Sequence, residues 1–506
     1  MNRLYALIDG IGPIFSRFWT RHPALYYGLF LYFGAVGALQ NVAYSILPIG
    51  LLLLGAGLLR FSLGALLAVV FGFYLTSSVQ VAPAWAEGRI GQACFQITNI
   101  TPEIRYHRAY YKLQIDLLSF VAKDNTFYAQ NVPCKLVWNK PGLRPSADWL
   151  YEVEATLTEQ NGLWTLHLLT GSVCKPYKRV FSFVEWRYRL KSAFKRFLAR
   201  YIPPGEVRAF LEGVVIGEFH DPLLANSLRR FGLQHIIVVS GFHFSLIAAI
   251  FTGLIRLIAS WKVTSVLLIL LTTFYLLFVG PSPSVVRAYT ATLLVLLANL
   301  FEEKSNGINS LGLGLMVALF IEPLWAESLS FTLSFLATWA ILLFYPLCRR
   351  AIQTYFPRRT GSMLLKMPFL DQLTFVLLAF FLSSFALVAS VTILMLPMSL
   401  FAFQQFPLLG IIYNCFFPFL VSISVFLLSL GLLFSWLSPV ACLFFSSCTH
   451  LTEAALTLVR DAPLCFDMTL ECSWLSLGVL VAYLCFVSFI GIIYLDRVSD
   501  NFKEAR

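Results

Sequence analysis

Long apolar runs recur along this chain, and they restrict its fold more than any other feature. A helix that crosses a bilayer needs about 20 mostly apolar residues, and residues 23–42 and 61–79 reach about that length without a charge. Only 12% of the 506 residues are charged and 58% are hydrophobic, whereas about a quarter of a soluble domain is charged. The sequence therefore predicts a polytopic α-helical membrane protein with about 12 transmembrane helices.

Residues 1–84 are predicted to hold the first membrane helices, with a shorter span near 45–59 between the two long ones. Arg3, Arg17 and Arg21 precede them, and cytoplasmic segments of membrane proteins are enriched in Lys and Arg. This bias places the N-terminus in the cytoplasm, and three crossings place the next segment outside the cytosol. No small-residue cleavage site follows the first apolar run, so no removed signal peptide is predicted.

Residues 85–180 have a different pattern, in which charges reappear and apolar residues alternate with polar ones. YEVEATLT at 151–158 alternates in this way, and Asn161-Gly162 follows before LWTLHLL. Alternation around Asn-Gly is typical of a β-hairpin. About five such strands predict a small extracytoplasmic all-β domain, an OB-fold-like barrel, although a β-sandwich fits nearly as well. Three cysteines lie here, and a disulfide between two of them is left open: Cys94, Cys134 and Cys174.

Residues 185–202 are predicted to form a basic amphipathic helix. One face carries aromatic and aliphatic residues, and the opposite face carries Arg189, Arg196 and Arg200. This pattern is typical of a helix that lies in the headgroup layer of a membrane. A basic strip that contacts nucleic acid phosphates is the alternative, and the two roles are compatible.

Residues 205–495 are mostly apolar and are predicted to hold about nine further spans before a cytoplasmic tail at 496–506. Counting crossings places the basic loop near 349–366 in the cytoplasm and the acidic loop at 461–471 outside, as the charge rule requires. Broken or re-entrant helices are expected where three prolines lie close together in the sequence: Pro397, Pro407 and Pro418.

The stretch HIIVVSGFHF, residues 235–244, places polar side chains inside an apolar region. A serine hydrolase is one interpretation, but the first glycine of G-x-S-x-G is missing and no acidic residue lies nearby in the sequence. His235 and His243 alone make an incomplete metal site. Ser240 and Gly241 would also permit close helix packing. The interpretation favoured here is a polar pathway, because polar groups in membrane helices usually face the bundle interior or water.

Other polar residues within spans fit a pathway as well. Arg287 follows GPSPS just inside a predicted span, where an arginine is costly unless it reaches the interface or meets an anion. Asn309 adds an amide to a neighbouring span, and Ser330 and Ser334 share one helix face. That serine face indicates either helix packing or a channel lining.

Five segments, in this order, resemble the ComEC family of competence proteins, the inner-membrane DNA channels of natural transformation. They are FLEGVVIGE, FGLQHIIVVSGFHFSL, VGPSPSVVRAY, NSLGLGLMVALFIEPLWAESLSFTLSFLATWAIL and TILMLPMSLFAFQQFPLLGIIYNCFFPFLV. The resemblance covers about 205 to 425, with departures at Phe242, Glu322 and Thr332. It implies that seven residues at motif positions line or shape the channel: His235, Ser240, Gly241, His243, Arg287, Asn309 and Ser334.

The resemblance implies transport of single-stranded DNA across the cytoplasmic membrane, with no cofactor and no metal. Implied partners are single-stranded DNA, the lipid bilayer, a periplasmic DNA receptor, a cytoplasmic helicase-like motor and a second copy of the chain. DNA contacts are expected from stacking aromatic residues and cations of the β-domain and the amphipathic helix: Tyr106, Arg108, Tyr110, Lys112, Arg189, Arg196 and Arg200.

No catalytic activity is predicted. Many family members carry a metallo-β-lactamase-like domain whose H-x-H-x-D-H motif is rich in histidine, whereas only His450 follows His243 here. A channel without that domain is therefore expected. Two other functions stay open at this point, a secondary transporter or lipid-linked solute flippase and an intramembrane serine hydrolase.

Overall fold

The structure is a computed structural model, and it joins a β-domain to a helical bundle. It describes residues 13–40, 62–79, 84–105, 108–122, 125–138, 144–160, 163–169, 171–219, 221–237, 241–357, 359, 363, 367–463 and 466–504. A membrane protein of many helices with one small β-domain, as predicted from the sequence, is confirmed.

The β-domain is a closed barrel. Its strands are β1 (Ile90–Arg105), β2 (Arg108–Ala122), β3 (Thr126–Trp138), β4 (Trp149–Gln160), β5 (Leu163–Leu168) and β6 (Lys175–Arg179). The order is β1-β2-β3-β5-β4, and β4 pairs back with β1 to close the ring. Only β3 and β5 run parallel, and β6 adds to β4 outside the ring. This connectivity is that of an OB-fold barrel, so the β-sandwich is excluded.

Alternation along the strands builds the barrel core. Phe95, Phe120 and Leu166 are almost completely buried inside it, because successive strand residues point to opposite faces. None of the three cysteines of this domain, all within the described residues, is joined in a disulfide: Cys94, Cys134 and Cys174.

The helices follow the predicted spans closely. They are α1 (Pro23–Leu39), α2 (Ser62–Ser77), α3 (Phe183–Leu198), α4 (Glu206–Ile216), α5 (Pro222–Arg230), α6 (Gln234–Ile237), α7 (Gly241–Arg256), α8 (Trp261–Val279), α9 (Pro283–Phe301), α10 (Gly307–Ile321), α11 (Leu329–Tyr355), α12 (Phe369–Phe403), α13 (Gly410–Leu433), α14 (Ser438–Arg460) and α15 (Leu477–Glu504). Among the described residues, seven helices are long and apolar enough to cross a membrane, and four shorter ones are apolar. The predicted span near 45–59 lies outside the described residues.

Local sequence explains where several helices begin. The side chain of Asp221 accepts the backbone N–H groups of Leu223 and Leu224, with proline in the first turn of α5. Asn306 caps α10 and Ser328 caps α11 in the same way. Such side chains satisfy N–H groups that have no partner within the helix.

The expectation of broken helices around the three prolines is wrong for two of them. Pro397 lies inside the continuous helix α12, and Pro418 lies inside α13. Only Pro407 lies outside the helices, in the short strand β7 (Gln405–Pro407), which pairs with β8 (Thr469–Glu471). Membrane helices can continue through proline where neighbouring parts of the protein cover the backbone carbonyl that loses its N–H donor.

The contacts of α10 distinguish the two ends of the bundle. In its first turn, Asn309 contacts the backbone of Arg21 and Ala24, ahead of and within α1. Near its other end, the ring centre of Phe320 lies 5.7 Å from that of Phe71 in α2. Helix α2 leads to the β-domain. We call the end with Phe320 the domain end and the end with Asn309 the opposite end. Asp496 of α15 pairs with Arg17 and Arg21 at the opposite end.

Glycines permit very close packing around α1. A Cβ at Gly312 of α10 would clash with the backbone of Leu25, and one at Gly28 would lie 2.9 Å from the carbonyl oxygen of Gly312. Because backbone atoms are the obstacle, no rotamer change relieves the clash. This contact holds α1 against the core of the bundle.

Replacing Gly312 with alanine is expected to lower stability by about 1–3 kcal/mol, the range for overpacking a close contact. Gly253→Ala is the matched control, since no heavy atom lies within 4 Å of a Cβ there. It is expected to be neutral or mildly stabilising, because glycine weakens a helix interior. Thermal unfolding of the detergent-solubilised variants measures the difference. Equal melting temperatures for the two variants would contradict this account.

The basic helix α3 packs on protein rather than resting on lipid alone. The ring centre of Phe194 lies 6.2 Å from that of Phe278 in α8. Tyr201, just beyond α3, stacks on Phe445 of α14 with 4.4 Å between the ring centres. The sequence favoured a helix lying in the headgroup layer. Part of its aromatic face packs against the bundle, and the headgroup-layer position stays a prediction.

Candidate functional site

Arg287, in the second turn of α9, is the centre of the candidate site. Its Nε donates a hydrogen bond of 2.9 Å to Oγ of Ser334 on α11. Among the described residues, no carboxylate lies within ion-pair distance of its guanidinium. The Arg287 side chain is half-buried. Arg287 therefore places a positive charge in the space between α7, α9 and α11 of the bundle.

Gly241, the first residue of α7, lies against this arginine. A Cβ at Gly241 would clash with a terminal guanidinium nitrogen of Arg287. Gly314 of α10 is also near, since its Cβ would lie 3.6 Å from the Cγ of Arg287. Two glycines thus leave room for the arginine between three helices. The structure brings together three predicted site residues, Gly241, Arg287 and Ser334.

The two histidines of the opening motif differ in their surroundings. His243 is buried in the first turn of α7, with 1% of its surface exposed. His235 in α6 is exposed. Its Nδ1 donates to the carbonyl of Gly232 at 3.0 Å, which leaves Nε2 as an acceptor. Ser240 lies outside the described residues.

Three helices begin around Arg287, and all begin at the domain end. Gly241 is the first residue of α7, Arg287 is the fifth of α9 and Ser334 is the sixth of α11. Backbone N–H groups give the start of a helix a partial positive charge. These helix starts and the guanidinium therefore make the domain end of this space favourable for an anion.

Asn309 lies away from this cluster. Its Oδ1 accepts the backbone N–H of Ala24 at 3.2 Å, and its Nδ2 donates to the carbonyl of Arg21 at 3.1 Å. Both amide atoms are therefore used to hold the start of α1. The geometry gives Asn309 a structural contact at the opposite end of the bundle.

The predicted DNA contacts on the β-domain cluster at the end of the β1–β2 hairpin. Tyr106 lies outside the described residues, and only the backbone of Arg108 and Tyr110 is described, within β2. Lys112 is exposed on β2, opposite Thr101 of β1. The same hairpin approaches the bundle, because Asn99 and Thr101 line a cavity with the loop between α8 and α9.

Arg189, Arg196 and Arg200, the predicted phosphate contacts of residues 185–202, fall into two groups. Arg189 pairs with Glu185 at 3.0 Å and with Asp148 at 3.3 Å. Arg196 and Arg200 are exposed, and they form no ion pair among the described residues. The last two are therefore better placed than Arg189 to meet a phosphate.

One basic surface was missed at the sequence level. All five residues of β6, KPYKR at 175–179, are exposed, including Tyr177 at 66%. Three cations beside an exposed aromatic ring are typical of surfaces that bind single-stranded nucleic acid. Three cations within five residues, 175–179, are the signal in the sequence that indicates this surface.

Comparison with known proteins gives the family. A family model described as "Competence protein" matches residues 219–497, more than half of the chain. The chain belongs to the competence protein family. The match contains α5 to α15 and therefore the whole Arg287 cluster, and it confirms the resemblance found in the motifs.

A curated relative of this competence-family chain is "ComE operon protein 3" of Bacillus subtilis (strain 168). The two are 24% identical over 271 residues, which is 50% of this chain and 31% of the relative. The chain thus covers about a third of the relative's length. No solved structure matches the chain.

Proposed function

We propose that this protein carries single-stranded DNA across the cytoplasmic membrane during DNA uptake in natural transformation. The observation that carries the proposal is Arg287, a guanidinium without a carboxylate partner among the described residues, in a bundle of competence-family helices. A charge within a membrane domain is costly and usually marks an ion or substrate path. A phosphodiester is the anion that fits the family, and it would meet Arg287 as it passes.

The proposed direction runs from the domain end, outside the cytosol, to the opposite end in the cytoplasm. Arg17, Arg21 and the basic residues Arg349 and Arg350 at the end of α11 lie towards the opposite end. Acidic residues follow α14 at 461–471, near the domain end. Since cytoplasmic segments collect Lys and Arg, this distribution supports both termini in the cytoplasm and the β-domain outside.

The β-domain would receive the strand before it enters the bundle. Its hairpin approaches the helix starts, and the exposed strand β6 offers cations and Tyr177. Stacking on aromatic residues combined with phosphate contacts suits single strands of any sequence. Arg196 on α3 and Arg200 just beyond it are further exposed cations that could contact phosphates.

The proposal includes other proteins. A periplasmic receptor would bring DNA to the β-domain, and a helicase-like motor in the cytoplasm would pull the strand through. A second copy of the chain is a further candidate partner. The protein itself acts as a channel rather than as an enzyme in this scheme.

Uptake of labelled duplex DNA tests the proposal directly. Cells with the intact gene, a clean deletion and the deletion restored by the gene are compared for label in a nuclease-protected cytoplasmic pool. We expect deletion to abolish cytoplasmic entry while binding outside the membrane persists. Unchanged entry in the deletion strain would refute DNA transport and favour a small-solute transporter. A serine-directed probe that labels the purified protein would instead favour the hydrolase.

A further inference from the structure

A cavity lies where the β-domain, α3 and the bundle meet, and it is separate from the Arg287 cluster. Its volume is about 180 Å³. The walls come from β1 through Asn99 and Thr101, from α3 through Arg187 and Lys191, and from the loop that joins α8 to α9. All three parts of the molecule therefore contribute to one site at the domain end.

Within the part of the chain that the structure describes, Arg187 is held by one hydrogen bond of its guanidinium. Its Nε donates to the carbonyl of Leu277 at 3.0 Å. Its guanidinium covers Gly280, where a Cβ would lie 2.7 Å from one terminal nitrogen. Gly280 has a φ of +101°, a conformation that favours glycine. Among the described residues, no carboxylate pairs with Arg187, so its two terminal nitrogens can donate to a ligand.

The neighbouring charges leave this region positive. Glu218 pairs with Lys191 at 3.3 Å and with Lys195 at 2.7 Å. Glu212 is shared between Lys195 and Arg208. Burial lowers the pKa of Lys191, Glu218 opposes that effect, and the nearby cations Arg187 and Lys195 lower the pKa further. Two carboxylates therefore face four cations, and a bound anion would reduce the excess positive charge.

Polar groups on the remaining walls suit an oxyanion. Ser282 and Thr101 bring hydroxyl groups to the cavity, and Ser282 immediately precedes α9. Arg287 lies five residues after Ser282, about 7 Å further along the helix axis. The cavity thus stands directly before the arginine of the proposed path, on the side of the β-domain.

We propose that this cavity binds a phosphodiester group of the incoming single strand and passes it from the β-domain to Arg287. The proposal rests on the proposed function, and it adds Arg187 and Lys191 as the phosphate ligands at the entrance. The guanidinium fork would hold two phosphate oxygens, while Lys191, Thr101 and Ser282 would contact the remainder. Glu218 would limit the affinity, so that the strand can leave.

Binding of a fluorescein-labelled oligothymidylate to the full-length protein tests this site. The protein is placed in nanodiscs of phosphatidylcholine, and fluorescence anisotropy gives the Kd at several salt concentrations. Arg187→Gln is expected to weaken binding by about tenfold and to reduce the slope of log K against log salt by about 0.7, one phosphate contact. Arg187→Lys should be intermediate, and Lys304→Gln, an exposed cation between α9 and α10, should match the wild type.

A second variant separates the site from a folding defect. Glu218→Gln removes the carboxylate that competes with phosphate, so it should tighten binding several-fold, which damage to the fold does not produce. If Arg187→Gln and Glu218→Gln both leave the Kd unchanged while the wild type binds, the cavity proposal fails and DNA transport still stands. If the wild type does not bind and gene deletion does not affect uptake, the proposed function fails.

Nanodiscs that contain phosphatidylglycerol test the other source of a phosphodiester. A lipid headgroup site predicts that anionic lipid raises the melting temperature of the wild type but not of Arg187→Gln, with oligonucleotide binding equal in both. That result would overturn the nucleic acid assignment. A strand site predicts that the lipid exchange leaves the effect of Arg187→Gln on the Kd in place.

Discussion

Cells that carry Arg287→Gln are expected to lose nuclease-protected DNA entry by about tenfold or more, with the protein present in the membrane at its normal amount. Glutamine keeps hydrogen-bonding groups near Ser334, whereas the positive charge that attracts a phosphate is gone. Because no carboxylate contacts Arg287 among the described residues, removing its charge leaves no opposite charge unpaired. The expected defect is therefore in transport rather than in folding, and uptake of labelled DNA measures it.

Three further variants sharpen this result. Arg287→Lys keeps the charge without the planar fork and should retain partial entry. Gly241→Ala should displace the guanidinium and impair entry although every charge is retained. Arg256→Gln is the matched control, since this exposed arginine caps the other end of α7 by donating to Ala259. Normal DNA entry with Arg287→Gln at normal abundance would exclude a direct role of this arginine.

The second large effect is expected at Glu185, which joins α3 to the β-domain. Its carboxylate accepts hydrogen bonds of 2.9 and 2.6 Å from Arg144, 3.0 Å from the backbone of Ala147 and 3.0 Å from Arg189. Arg144 also lies over the ring of Tyr188, 3.8 Å from its centre. Glu185→Ala leaves Arg144 without its carboxylate, whereas Arg189 keeps its pair with Asp148. Breaking a buried pair such as Arg144–Glu185 costs about 3–5 kcal/mol.

Hydrogen exchange of backbone amides would locate the stability that Glu185→Ala removes. In Glu185→Ala, faster exchange is expected in residues 144–147 and in the first turns of α3, together with a lower melting temperature. Glu154→Ala, an exposed carboxylate on β4, should change neither. If exchange at the junction is unaffected by Glu185→Ala, the β-domain must be held on the bundle by other contacts.

Acid should remove the same stabilisation in the wild type. Burial would raise the pKa of Glu185, but the hydrogen bonds from Arg144 and Ala147 and the charge of Arg144 outweigh it and lower the pKa to about 2, from 4.5. A carboxyl whose pKa is lower in the folded than in the unfolded protein stabilises the fold at pH values above its unfolded-state pKa. This stabilisation is lost as the pH falls towards its folded-state pKa. The difference in melting temperature between the wild type and Glu185→Gln should therefore shrink as the pH is lowered from about 4.5 towards about 2.

The motif residues lie at two different ends of the bundle, and their spacing in the sequence does not predict which end. Arg287 and Ser334 are 47 residues apart and meet at 2.9 Å, whereas Asn309, between them in sequence, holds α1 at the opposite end. Both Arg287 and Asn309 are polar residues near the start of an apolar helix. Only the direction of each helix determines whether that start lies at the domain end.

The sequence by itself determined the membrane class, the positions of most spans, the alternation that builds the barrel and the family. These properties follow from local composition and from the spacing of apolar residues along the chain, because each span or strand must bury its own apolar face. The tertiary structure alone decided that α3 packs on α8 and α14, that Glu185 and Glu218 neutralise particular cations, and that Arg187 and Arg287 have no carboxylate partner among the described residues. Charge pairing depends on distances of a few ångströms between distant segments, and no local pattern encodes those distances.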